Sequence, residues 1–117
     1  MKRLSPLRVS SEDLKRELNL IAHNLEERAK DFLINLPSPF IFTVVLPDGE
    51  KVSFLVSKEG IRQHDGVLQL KDRVEVGYAD FKRLIEKPQR AVRYLFEGRL
   101  RVYGDVKALF KSLEGLL

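Results

Sequence analysis

Apolar residues recur at steps of three and four from Leu14 through Leu18, Ile21, Leu25, Ala29 and Phe32. That spacing lays them along one stripe of a helix. The expected helix runs from Ser10 to Leu36. Ser10 or Ser11 can cap it, Glu12 and Asp13 sit in the first turn where the helix dipole favours acids, and Pro37 ends it. The period then changes. Phe40 to Leu46 is β-branched and aromatic and apolar on both faces, which predicts a strand inside a sheet. Pro47-Asp48-Gly49-Glu50 is a turn, and Lys51 to Ser57 is the hairpin partner. In that partner Val52, Phe54 and Val56 share one face and Ser53, Leu55 and Ser57 the other.

Lys58-Glu59-Gly60 turns the chain into a short strand from Ile61 to His64, and Asp65-Gly66 turns it again. Val67 to Leu70 fits neither period. Arg73 to Tyr78 alternates, with Val74, Val76 and Tyr78 inward and Arg73 and Glu75 outward. Helical spacing returns over Asp80 to Lys87 with Phe81, Leu84 and Ile85. Pro88 opens a second short helix through Val92, Leu95 and Phe96, which Gly98 stops. Arg99 to Tyr103 is a strand. Asp105 caps a final helix whose stripe is Val106, Leu109, Phe110 and Leu113. The order is helix, three to four strands, two helices, strand, helix. It predicts an α+β fold, a mostly antiparallel sheet with helices on one face.

Composition narrows the chemistry more than the architecture. At 117 residues one compact domain is expected, here residues 10–117 behind a basic arm of residues 1–9. A chain of this size buries about two-thirds of its unfolded surface, enough for a core without staples. There is no cysteine, which excludes disulfides, thiolate metal sites and a thiol nucleophile. Two histidines exclude a His-rich metal centre. The longest apolar run, Phe40 to Leu46, is far short of the roughly 20 residues that span a bilayer, and no apolar stretch follows the basic start. A cytoplasmic setting is the simplest expectation. High charge with sparse Asn and Gln is also the mix found in thermophile proteins.

The remaining polar groups assemble no reaction centre. Glu12-Asp13, Glu26-Glu27 and Asp31 read as a solvated helix face paired with Arg28 and Lys30. His64-Asp65 reads as an exposed turn, and His23 as a surface or boundary residue on the long helix. No nucleophile, base and orienter come together, no glycine-rich phosphate loop is present, and no cofactor or metal is implied, so no enzyme is expected. Lys82, Arg83, Lys87, Arg90, Arg93, Arg99 and Arg101 crowd one stretch with only Glu86 and Glu97 among them. Such a patch suits phosphate, in nucleic acid or in lipid head groups. No recognition motif or aromatic platform accompanies it, which argues against nucleic acid.

The run Phe96-Glu97-Gly98-Arg99-Leu100-Arg101-Val102-Tyr103-Gly104-Asp105 resembles the closing signature of the sterol-carrier-protein family of nonspecific lipid carriers. Val74-Glu75-Val76-Gly77-Tyr78-Ala79-Asp80-Phe81 followed by Leu84-Ile85 is similar to that family's strand running into a helix, and the hairpin at Asp48-Gly49 fits its early strands. The chain lacks the tryptophan that many members carry, and its last residues are not a peroxisomal targeting tripeptide. The resemblance implies a five-stranded mixed sheet with helices on one face and an apolar tunnel between them for fatty acyl, sterol-like or isoprenoid chains. The implied lining is Phe42, Val44, Phe54 and Val56 on the sheet, with Phe81, Leu84, Ile85, Val92, Leu95, Phe96, Leu109, Phe110 and Leu113 on the helices. Lys82, Arg83, Lys87, Arg90 and Arg93 would lie near the mouth and meet anionic head groups or a membrane. A related variant of the family presents isoprenoid quinone intermediates to enzymes. The rival expectation is an interaction module with a closed core and no ligand, dimerising through a sheet face.

Overall fold

The computed structural model describes residues 11–36, 38–65 and 70–105. The first apolar stripe forms α1 (Ser11–Arg28) and α2 (Lys30–Ile34). The expected single helix is interrupted only at Ala29. Its amide still bonds to the Leu25 carbonyl at 2.8 Å, and its carbonyl accepts from the Leu33 amide at 2.9 Å, so the ladder runs on. The Leu36 amide closes onto the Leu33 carbonyl at 3.1 Å, the tighter bond of a helix end. Ser11 is not a cap. It lies inside α1 and its hydroxyl donates to the Asp48 carboxylate, which also accepts the Glu50 amide at 2.9 Å. The start of α1 is thereby pinned to the first hairpin turn.

That hairpin joins β1 (Phe40–Val45) to β2 (Lys51–Ser57), and β3 (Gly60–Asp65) pairs next to β2. The strand expected to stop at His64 continues to Asp65. β4 (Arg73–Gly77) lies parallel to β1, and β5 (Leu100–Tyr103) is antiparallel to β4. The sheet order is β3-β2-β1-β4-β5. β1 is the central strand, as its two-sided apolar pattern requires. The result is the five-stranded mixed α+β sheet expected.

Gly60 starts β3 for a steric reason. Its φ is +137°, and a Cβ there would overlap the Glu26 carboxylate. That carboxylate accepts the Ile61 amide at 2.8 Å and the Lys15 carbonyl accepts from Gln63 Nε2 at 3.2 Å, so α1 holds the sheet edge through two hydrogen bonds. At the far edge, Gly104 has φ +96° and no space for a side chain against Lys71 and Asp72. The Asp105 amide donates to the Asp72 carboxylate at 2.9 Å. The Gly-Asp pair of the closing signature thus ties the end of β5 to the entry of β4.

Between β4 and β5 the chain makes α3 (Tyr78–Glu86), a 3-10 turn (Pro88–Arg90) and α4 (Ala91–Phe96). α1 packs on β3, α2 on β2, α3 on β1 and β4, and α4 on β5. The core lies between these helices and the inner sheet face. Leu18 and Ala22 of α1, Leu33 and Leu36 at the end of the helical arm, and Phe81 and Tyr94 meet Phe40, Val44, Val52, Phe54, Val56, Val74, Val76 and Leu100.

The outer face follows the alternation, with one correction. Glu75 points outward as expected but is only 7% exposed. Arg101 holds one carboxylate oxygen at 2.7 Å and Lys51 the other at 3.4 Å. Beside it Thr43 and Ser53 are fully buried and share a hydroxyl hydrogen bond at 3.0 Å. Cross-strand neighbours cover these small polar residues, so an outward position is not a solvated one.

Candidate functional site

The inner sheet face brings its expected residues together by register. Phe42 stands opposite Phe54 and Val74, Val44 opposite Val52 and Val76, and Phe40 opposite Val56. Val44, Phe54 and Val56 are buried, whereas Phe42 keeps part of its surface free. Phe81 descends from α3 onto this face. Its ring centroid lies 5.5 Å from that of Phe42 with the planes tilted by 54°, within the range of favourable aromatic pairs.

Against this buried centre pack apolar residues that keep part of their surface free. Leu84 and Ile85 on α3, Leu14 and Ile21 on α1, and Phe42 on β1 all pack against the core while remaining half-buried. Leu14 and Ile21 belong to the stripe that predicted the long helix. Their place at the rim follows from how α1 lies across the sheet, which periodicity does not report.

α4 is rotated relative to expectation. Tyr94 is the side chain that turns inward, at 1% exposure, with Ala91 one turn before it. Val92 and Phe96, assigned to the lining, point outward at 44% and 84% exposure, and Leu95 is intermediate. The helix is six residues long, so two stripes fit it equally well. Sequence reasoning did not single out Tyr94; in the structure Arg93 and Arg99 lie 5.9 and 5.2 Å from its ring centroid. Leu109, Phe110 and Leu113 lie outside the described residues.

A polar clasp joins α1 to α3. The Tyr78 hydroxyl donates to the Glu17 carboxylate, and Lys82 Nζ donates to the same oxygen at 3.1 Å while standing 5.7 Å from the Tyr78 ring. The hydrogen bond from Tyr78 and then that from Lys82 hold the Glu17 carboxyl below its usual range. Burial, followed by the Glu17 hydrogen bond, pushes the Tyr78 hydroxyl up, and the Glu17 hydrogen bond raises the Lys82 ammonium. The signs define a window. The Glu17 contribution is present above the unfolded carboxylate value of about 4.3 and is lost as pH falls through its lower folded value. Those of Tyr78 and Lys82 are present below about 10 and are lost as pH rises through their higher folded values. Thermal unfolding followed against pH should show an acid limb that is shallower in Glu17→Gln. An identical limb in the two proteins would remove the clasp from the account.

Of the other four basic residues assigned to the mouth, two are engaged in ion pairs. Arg83 pairs with Asp80 at 3.1 Å and Arg93 with Glu97 at 3.7 Å. Lys87 and Arg90 have no ion pair among the described residues. His23 and His64 are both exposed and set apart. Among the described residues no three His, Asp or Glu side chains are grouped to hold a metal, and no helix is long and apolar enough to cross a membrane.

No family model matches the sequence, and no curated protein does. Solved structures do. The crystal structure of sterol carrier protein 2 like 2 from Aedes aegypti superposes with a TM-score of 0.68 at 18% identity, covering 86% of this chain and 97% of that one. The fold is that of a sterol carrier protein 2 domain. The solution structure of the palmitated form of that mosquito protein gives a TM-score of 0.64 at 20% identity, over 83% of this chain and 91% of that one. A UbiJ ubiquinone synthesis protein with the same kind of domain gives 0.53 at 16% identity, over 86% and 97%. The five-stranded mixed sheet with its helices matches these neighbours.

Proposed function

We propose that this domain is a non-catalytic carrier that holds a long apolar chain, fatty acyl, sterol-like or isoprenoid, between its helices and the inner sheet face. The observation that carries the reading is the conjunction of a sterol-carrier fold, shared with a palmitated protein, and a half-buried rim of Leu14, Ile21, Phe42, Leu84 and Ile85 beside the core. The proposed lining keeps Phe42, Val44, Phe54, Val56, Phe81, Leu84 and Ile85. Leu95 stands at its edge, and Val92 and Phe96 are left to another role because they face outward. A cysteine-free chain suits a carrier working in the cytoplasm.

Energetics favour occupancy over an empty space. A dry pocket of about 300 Å³ costs on the order of 7 kcal/mol at about 24 cal/mol per Å³. That is comparable to the whole stability of a small domain, about 5–15 kcal/mol. An acyl chain of about sixteen carbons returns roughly 12 kcal/mol gross at about 0.8 kcal/mol per methylene, before the costs of fixing it. One methylene more or less changes this little, so selectivity among chains is expected to be low.

Binding to the folded state raises the unfolding temperature by mass action. Palmitate added to delipidated protein should raise the midpoint by several degrees, and a fluorescent fatty acid should be taken up and displaced by it. A midpoint that stays put, with no uptake, would instead favour the closed interaction module. The similarity to a ubiquinone synthesis protein supports a second cargo, an isoprenoid quinone precursor, which the same displacement assay compares with palmitate.

A further inference from the structure

We infer that the clasp of Glu17, Tyr78 and Lys82 is a latch over the seam between α1 and α3, and that an apolar chain enters and leaves the interior through this seam. The inference rests on the carrier reading and names its entrance.

The packing of the helices defines the seam. α1 lies on β3, at one edge of the sheet, whereas α3 lies on β1 and β4. Between them the inner face of β1 and β2 forms the floor, with Phe42 opposite Phe54. Phe42 belongs to the central strand, yet it keeps part of its surface free, whereas Phe54 is buried.

Helical spacing places the walls. On α1, Leu14, Glu17 and Ile21 follow at steps of three and four and so share one flank. On α3, Tyr78, Lys82 and Ile85 do the same. Leu14, Ile21 and Ile85 are half-buried against the core. The polar members of the two flanks are the ones that meet. The Tyr78 hydroxyl and Lys82 Nζ both donate to Glu17 Oε1, the second at 3.1 Å. The apolar members lie beside the clasp, so a chain passing between the two helices runs along them.

The clasp is built to open. The Glu17 and Lys82 side chains are 43% and 41% exposed, so water replaces their hydrogen bonds at little cost, and exposed ion pairs of this kind are weak. Parting them does not require either helix to leave the sheet. α1 is also held to the β3 edge by the Glu26–Ile61 and Lys15–Gln63 hydrogen bonds, and α3 by Phe81 against Phe42. A latch of this kind acts on the barrier in both directions. It changes the rates of entry and exit together and the affinity little.

The test is stopped-flow mixing of the delipidated full chain with a fluorescent fatty acid, with release followed by displacement with palmitate. In Tyr78→Phe/Lys82→Met, which keeps the ring and the aliphatic stem, uptake and release should both quicken about fivefold, while the equilibrium affinity changes by less than about twofold. The chain has no cysteine, so Glu17→Cys/Lys82→Cys can be bridged by a short bis-maleimide at these two positions alone. Bridging should slow uptake about tenfold or more against the same protein left unbridged. A merely structural clasp would lower the unfolding midpoint of the first variant and leave both rates as they were, and that result overturns the latch. Bridged protein that takes up fatty acid as fast as unbridged protein overturns the seam as the entrance. In either case normal equilibrium uptake leaves the carrier reading standing. No equilibrium uptake by the unsubstituted chain overturns that reading and the latch with it.

Discussion

Ile85→Asp should lower the affinity for a fluorescent fatty acid by tenfold or more while leaving a cooperatively folded protein. Ile85 is half-buried and stands on α3 at the open rim, so a carboxylate there can stay hydrated in the empty protein. A bound chain would have to cover it. The loss has two parts: the isoleucine contact, worth about 1.5–3 kcal/mol when fully buried, and the desolvation of the new charge. Ile85 is already half-buried, so the contact supplies only part of that range, and the two parts together reach the roughly 1.4 kcal/mol that corresponds to a factor of ten. Lys87→Glu is the control. It reverses a charge on the same surface without touching the apolar rim, so uptake from solution should change less than threefold. Equal effects of the two changes would move the binding site away from the rim.

The second large effect concerns the helix that forms the other wall. Leu18→Ala should destabilise the domain by about 2–5 kcal/mol, the cost of a buried leucine cavity, whereas Leu20→Ala should fall within about 0.5 kcal/mol. Leu18 is 0% exposed and Leu20 66%, although they are two residues apart in α1. At about 4 °C per kcal/mol for a domain near this length, the first change lowers the melting midpoint by roughly 10 °C or more and the second by a degree or two. Comparable losses in both would mean that α1 does not lie on the sheet as described.

The contrast between Leu18 and Leu20 also shows what periodicity can read. α1 has five turns, so the stripe from Leu14 to Leu25 selects one face without ambiguity. β2 was legible to the residue because its alternation is bounded by two turns. β1 could be placed at the centre of the sheet because both its faces are apolar. The grouping of Val52, Phe54 and Val56 on one face of β2 followed from the same alternation. Three features were not legible for physical reasons. α4 is too short for a stripe to be defined, so its inward residue was misassigned. Glu75 looked solvated because its partners, Lys51 and Arg101, are 24 and 26 positions away in the chain. Ser11 looked like a cap because local patterning cannot show that Asp48, 37 positions on, competes for its hydroxyl. The glycine closures at Gly60 and Gly104 read as turns, and their tighter role emerged only with Glu26 and Asp72 in place.

The cations of the basic stretch differ in their partners. Lys82, held by Glu17, belongs to the fold, whereas Lys87 and Arg90 remain available to the surface. The basic stretch seen in the sequence is thus divided between cations held by carboxylates and two, Lys87 and Arg90, without an ion pair among the described residues.

The central claim is that the domain carries an apolar chain. Native mass spectrometry of freshly purified protein, followed by organic extraction and identification of the extract, tests it most directly. The account predicts a co-purifying fatty acyl, sterol-like or isoprenoid mass that exchanges with added palmitate. A clean unliganded mass, with no uptake of fatty acid afterwards, would contradict it and leave a sterol-carrier fold whose interior is closed.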